Sequence, residues 1–293
     1  ATASLGAVWT SCSPDFEVQG VLDRFGQVEP KVFICVDGYY YNGKEFDCLE
    51  KNKKIVSQLP SVEQTLVVRF VNDGLGFLDS NQSFLFDEIV NGSTNPDLEF
   101  ESVAFNDPLY ILFSSGTTGI PKCIVHGVGG TLIQHKKEHM LHCDIKKGDR
   151  VFFFSTCGWM MWNWLVSSLA SGATLMLYDG SPFIKNNDNI LFDYAEQEKF
   201  NFMGVSAKYL DTARKKALSP RKTHSLDSIK MILSTGSALS VDCYDYVYEQ
   251  VKAEVCLSSI SGGTDIVSCF VLGSPMLPVY RGELQTRGLG MSV

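Results

Sequence analysis

No two of the nine cysteines form a Cys-x-x-Cys pair, and their number is odd. They are scattered singly from Cys12 to Cys269, several inside apolar runs. This pattern excludes a zinc ribbon and a disulfide framework, and it fits reduced, buried thiols of a cytosolic protein. Positive charge is also scarce. The 25 basic residues are outnumbered by 33 acidic ones, the net charge is −8, and no long basic run occurs. A binder of phosphate backbones needs a basic face, so no nucleic-acid partner is expected.

Charge is missing altogether from "VFFFSTCGWMMWNWLVSSLASGATLMLY", residues 151–178. That length could cross a bilayer. Its serines, Asn163, Gly158 and Gly172 argue otherwise. The stretch divides into a strand (VFFFST), a short helix from about Trp159 to Leu169, a break at Gly172 and a second strand (ATLMLY). Elements buried on every face read as continuous apolar runs. We expect a buried β-α-β unit and no membrane span.

What is present is ordinary for a globular protein: 45% apolar and 20% charged residues over 293 positions. The ends, "ATASLGAVW" and "RGLGMSV", read as the middles of elements, as expected of an internal piece of a longer chain. Strand and helix patterns alternate between them. Val18, Val21, Leu22 and Phe25 recur at i, i+3, i+4, i+7 behind Ser13-Pro14, so "SPDFEVQGVLDRF" reads as an amphipathic helix. "KVFICV" and "TLVVRFV" read as strands flanking the helix "KNKKIVSQL". Residues 72–107 are polar and read as surface loop. Then follow the strand Leu109–Phe113, a short strand "CIVH", the helix "TLIQHKKEHMLH", the strand "SIKMILS", the helix "SVDCYDYVYEQVKAE" and the strand "VCLSSI". Repeated β-α-β units imply an α/β fold with largely parallel sheets covered by helices. Ligands in such folds bind beyond the carboxyl ends of strands, which points to the loops 114–122, 235–240 and 261–265.

The first loop, "SSGTTGIPK", nearly satisfies the Walker pattern and then fails it. Counting from Gly116, the second glycine is replaced by Pro121, and the hydroxyl after Lys122 by Cys123. Proline has no N–H to offer a phosphate, and a thiol is a poor Mg²⁺ ligand. A Walker loop also opens a helix, whereas "CIVH" reads as extended. A plain hairpin turn is the bland alternative, but it does not require consecutive glycines and hydroxyls beside a lysine. Glycines let backbone approach an anion closely, and Ser and Thr add donors.

The nonapeptide resembles the signature phosphate loop of the adenylate-forming (AMP-binding) superfamily. "STGSAL" (234–239) resembles that family's adenine-contacting turn, and "SGGTDI" (261–266) its α-phosphate and Mg²⁺ segment. The wider text, including "GWMMWNW" and "LYDGSP", is similar to acyl-CoA synthetases acting on acetoacetate, with acetate and other short acids as the alternative. This resemblance covers nearly the whole chain. It implies residues 1–293 as a partial AMP-binding N-terminal domain, without the small C-terminal domain whose lysine completes adenylation, so the piece alone should turn over weakly. It implies ATP, Mg²⁺ and coenzyme A as cofactor and co-substrates. Ser114, Ser115, Gly116, Thr117, Thr118, Gly119 and Lys122 would cradle the β- and γ-phosphates. Gly236, Ser237 and Ala238 would line adenine, Thr264 would contact the α-phosphate, and Asp265 would hold Mg²⁺ where most relatives carry Glu. Trp159 would close the acyl pocket. The aromatic that usually stacks on adenine, three residues before the Thr, is here Ser261.

One rival chemistry remains in the text. "HKKEH" (135–139) matches the H-x-x-E-H zinc-hydrolase pattern, with His135 and His139 one turn apart, Glu138 as base and His142 a turn further on. The bland alternative is a polar helix surface.

Overall fold

The computed structural model describes residues 1–73, 76, 82–93, 97–114 and 119–293. The chain divides into two compact units, Ala1–Gly127 and Val128–Val293.

The first unit contains, in order, β1 (Trp9–Thr10), α1 (Val18–Val28), β2 (Val32–Val36), β3 (Gly38–Tyr41), β4 (Lys44–Asp47), α2 (Leu49–Val56), β5 (Gln64–Val68), β6 (Ser83–Leu85), α3 (Phe86–Gly92), β7 (Pro108–Phe113) and β8 (Cys123–Gly127). The spacing at α1 performs as expected: Val21 and Phe25 are buried, and Val18 and Leu22 pack beside them. The helix starts at Val18, five residues later than the Ser-Pro signal suggests. β2, β5 and β6 form a parallel sheet whose inward residues Phe33, Cys35, Val67 and Leu85 meet α1 and α2. Two regions depart from the sequence expectation. β6 and α3 interrupt the segment expected to be loop. β3 and β4 form an antiparallel hairpin whose turn places Asn42 and Gly43 at φ 50° and 73°, the Asn-Gly chemistry that two-residue hairpin turns favour.

The second unit contains α4 (Val128–Lys137), continued by one π-helical turn at Glu138–His142, then β9 (Arg150–Phe153), α5 (Met160–Ser167), β10 (Thr174–Met176), α6 (Ile190–Gln197), β11 (Phe202–Ser206), α7 (Ala207–Lys215), α8 (Pro220–Thr223), β12 (Met231–Thr235), α9 (Val241–Tyr246), β13 (Cys256–Ser259), β14 (Ser261–Gly263), β15 (Ser268–Leu272) and β16 (Thr286–Arg287). Five strands form a wholly parallel sheet in the order β10-β9-β11-β12-β13. Alternate residues serve opposite faces. Phe152, Met203, Val205, Ile232 and Leu257 belong to one core, and Val151, Phe153, Phe202, Met231 and Leu233 to the other. The charge-free stretch is thus β9, α5 and β10; Val151–Phe153, Trp164, Leu165 and Met176 are buried as expected, while Trp159, Val166, Leu169 and Leu177 are exposed. Among the described residues no helix is long and apolar enough to cross a membrane.

The strand order reverses between β9 and β11, so a crevice is expected beyond their carboxyl ends. β14, β15 and β16 form a separate antiparallel sheet directly after β13.

Candidate functional site

The loop 114–122 joins β7 to β8, and these strands are antiparallel, with Phe113 opposite Cys123. It is therefore a hairpin connection rather than an exit from a parallel sheet. Its neck is closed twice. The Ser114 N–H donates to the Lys122 carbonyl at 3.1 Å, and the Lys122 N–H donates to Ser114 Oγ at 3.0 Å. Gln27, in the last turn of α1, donates to the Pro121 carbonyl at 2.9 Å. Pro121 is buried while Lys122 is exposed. Gly119 sits at φ 150°, a conformation L side chains rarely adopt. Ser115, Gly116, Thr117 and Thr118 lie outside the described residues.

The adenine candidates occupy the carboxyl end of β12. Buried Ser234 and Leu239 anchor the two sides of the exposed residues Gly236, Ser237 and Ala238. Gly236 takes φ 90° beside Ser206 at the end of β11. Thr235 Oγ1 donates to the Ile260 carbonyl at 3.3 Å, and the Ile260 N–H donates to the Ser234 carbonyl at 2.8 Å. The polypeptide leaving β13 is thereby tied to the end of β12.

That polypeptide becomes β14, then the turn with Thr264 and Asp265. Gly262 is required there: a Cβ would sit 2.2 Å from the Ser268 carbonyl oxygen. Thr264 is half-buried and Asp265 exposed. The Val267 N–H donates to the Thr264 carbonyl at 3.2 Å, with Val267 at φ 48°. Positive φ at a β-branched residue is strained and persists only where neighbours enforce it. Mg²⁺ commonly keeps several waters and takes one or two carboxylates plus substrate phosphates. A single exposed carboxylate at Asp265 fits that donor chemistry, and among the described residues no three His, Cys, Asp or Glu side chains could hold a metal together.

Trp159 is 62% exposed ahead of α5. A cavity of about 290 Å³ lies beyond the ends of β9 and β10, among Phe153, Trp162, Leu165, Met176 and Asp179. Trp162 lines it; Trp159 does not.

The H-x-x-E-H residues are not a polar surface. His135, Glu138 and His139 are completely buried and His142 nearly so, whereas Ile133, Met140 and Leu141 on the same segment are exposed. Glu138 Oε1 accepts from Ser268 Oγ at 2.5 Å, the Cys269 N–H at 3.0 Å and Gln134 Nε2 at 3.0 Å, and Oε2 accepts from Trp164 Nε1 at 2.9 Å. His135 bonds Ser167 Oγ and the Val267 carbonyl. His142 donates from Nδ1 to the Gly273 carbonyl and accepts the Leu289 N–H at Nε2. His139 donates from Nε2 to the Trp164 carbonyl at 3.1 Å. Burial, with His135 beside it, pushes the His139 imidazole down to about 3. Burial and the Glu138 charge hold the Cys143 and Cys269 thiols well above the ordinary range. Of the four residues in that pattern, His135, Glu138 and His142 have their polar atoms engaged by protein groups. The sequence reading as a polar helix surface missed this burial, since the partners Val267, Ser268 and Cys269 are distant in sequence.

These features define a class. The sequence profile of the AMP-binding enzyme family matches residues 1–280, and the chain belongs to that family. Within it, the chain is 55% identical over its whole length to an acetoacetyl-coenzyme A synthetase of Rhizobium meliloti (strain 1021), and 47% identical to an acetoacetyl-CoA synthetase of Mus musculus. It covers 45% and 44% of those proteins. The structure of an acetoacetyl-CoA synthetase from Streptomyces lividans superposes on 99% of this chain with TM-score 0.91 at 40% identity. The chain therefore spans less than half the length of the relatives it matches.

Proposed function

We propose that the chain is the nucleotide-binding part of an acyl-CoA synthetase that activates acetoacetate. The observation that carries this is the end-to-end similarity to acetoacetyl-CoA synthetases. The geometry supports it through an exposed lysine at the pinned neck of a glycine- and hydroxyl-rich loop, and through two turns that follow β12 and β14.

A carboxylate is a poor acyl donor because its oxygen leaves badly. Attack of the carboxylate on the α-phosphate of ATP forms an acyl-adenylate and releases pyrophosphate. The thiol of coenzyme A then attacks the acyl carbon and releases AMP. There is little covalent work for the protein in the first step, so positioning and charge neutralisation carry it. Lys122 and the loop residues Ser114–Gly119 hold the departing pyrophosphate. Thr264 donates to the α-phosphate, and Gly236–Ala238 form the bed for adenine. Asp265 would hold Mg²⁺, which supplies further positive charge to the phosphates. Trp159 bounds the acyl group.

The test is formation of AMP and pyrophosphate by the complete protein. Release that depends on acetoacetate, with a thioester appearing when coenzyme A is added, is the expected result. Nucleotide cleavage without dependence on any acid would replace the ligase reading with a hydrolase.

A further inference from the structure

The turn that carries Thr264 and Asp265 is held from behind by a single segment. His135 bonds the carbonyl of Val267, the residue at φ 48°, at 2.7 Å. Glu138 accepts from the side chain of Ser268 and the backbone of Cys269, the next two residues. His142 then takes the Gly273 carbonyl and the Leu289 N–H, and Lys137 Nζ reaches the Leu289 carbonyl at 3.0 Å. On the opposite side the same segment grips α5, through Trp164 Nε1 to Glu138 and His135 to Ser167. The first of these bonds, from His135 and Glu138, fall on Val267, Ser268 and Cys269, just past Thr264 and Asp265. They fix the strained residue that closes the Thr264 turn and the strand that leaves it.

We propose that His135 and Glu138 are positioning residues, which set where Thr264 and Asp265 stand by clamping Val267, Ser268 and Cys269. The proposal rests on Thr264 being the α-phosphate contact. A buried carboxylate accepting four donors has one low-energy arrangement, because leaving any of those donors unpaired is costly. The π-helical turn at Glu138 fits this role, since single π turns inside helices accompany functional sites. The clamp acts on phosphate recognition and leaves the adenine turn alone, because Gly236–Ala238 follow β12 and the bonds above fall on Val267, Ser268, Cys269, Gly273 and Leu289.

That separation gives the test. Binding of AMP and of adenosine to the wild-type chain is compared with binding to His135→Ala, His135→Gln and Ser268→Ala. The wild type should prefer AMP. His135→Ala should weaken AMP by about tenfold, the size of one well-placed hydrogen bond, and leave adenosine within about twofold. His135→Gln, whose amide nitrogen can reach the Val267 carbonyl, should recover most of the AMP affinity. Ser268→Ala, a smaller change, should give a lesser loss confined to AMP, and it serves where His135→Ala does not fold. Parallel weakening of both ligands in folded variants, or unchanged AMP binding, overturns the proposal alone. A wild-type chain that binds AMP no tighter than adenosine overturns the Thr264 assignment and the proposal with it.

Discussion

Ser114 and Lys122 face each other across the neck of the loop, each accepting the other's backbone N–H, one at the carbonyl and one at Oγ. The Ser114 hydroxyl oxygen therefore has a structural duty besides any toward a ligand. Ser114→Ala should lower stability by about 1 kcal/mol, the usual worth of such a bond, and loosen the neck. Thermal unfolding measures the first effect. Weaker ATP binding with AMP binding unchanged measures the second, and equal weakening of both nucleotides would speak against a β/γ-phosphate role.

Lys122 is exposed at that neck. Lys122→Ala should reduce ATP affinity and flatten its salt dependence, because an exposed charge acts through screened attraction. AMP lacks the distal phosphates and should be little affected. Titrations at two salt concentrations check this.

Gly262→Ala tests the Thr264 hairpin from its other side. The new Cβ would meet the Ser268 carbonyl at 2.2 Å. That carbonyl, like the Cys269 Cα at 2.9 Å, is backbone rather than a flexible side-chain end, so the hairpin must shift, at about 3 kcal/mol. Chemical denaturation should show the loss, and a variant as stable as wild type would mean the hairpin yields freely.

His139 predicts a pH dependence. Its folded value of about 3 lies below the ordinary 6.5, so the unfolded chain binds the proton more readily. The stabilisation is complete above about 6.5 and falls as pH drops toward 3, by up to about 1.4 kcal/mol per unit from this residue. His139→Gln keeps a donor for the Trp164 carbonyl and should flatten the acid limb between those values. An unchanged limb would assign the acid sensitivity to other groups.

Zinc should have no effect on folding. His135, Glu138 and His142 spend their polar atoms on protein partners, so neither a chelator nor added zinc should move the melting temperature. A rise on adding equimolar zinc would revive the hydrolase alternative.

Much of this architecture was legible in the residues. The loop 114–122 stood out because small and hydroxylated residues, with one lysine, have no packing reason to cluster. β9 and β12 were legible because strands buried on both faces carry unbroken apolar runs, whereas β11 (Phe202–Ser206) was not among the strands read from the sequence. The Asn42-Gly43 turn was an available signal for the β3–β4 hairpin that the broader strand-helix alternation obscured. The burial of His135 and Glu138 was not legible by local reasoning, because their partners Val267, Ser268 and Cys269 lie some 130 positions away. A polar helix stripe looks solvent-facing until the donors that satisfy it are known.

The most direct measurement is acid-dependent exchange of pyrophosphate into ATP by the complete protein that carries this chain, across acetate, acetoacetate, butyrate and longer acids. Fastest exchange with acetoacetate is the predicted result. Equal or faster exchange with acetate would contradict the acetoacetate assignment, and exchange with none of the acids would contradict adenylation itself.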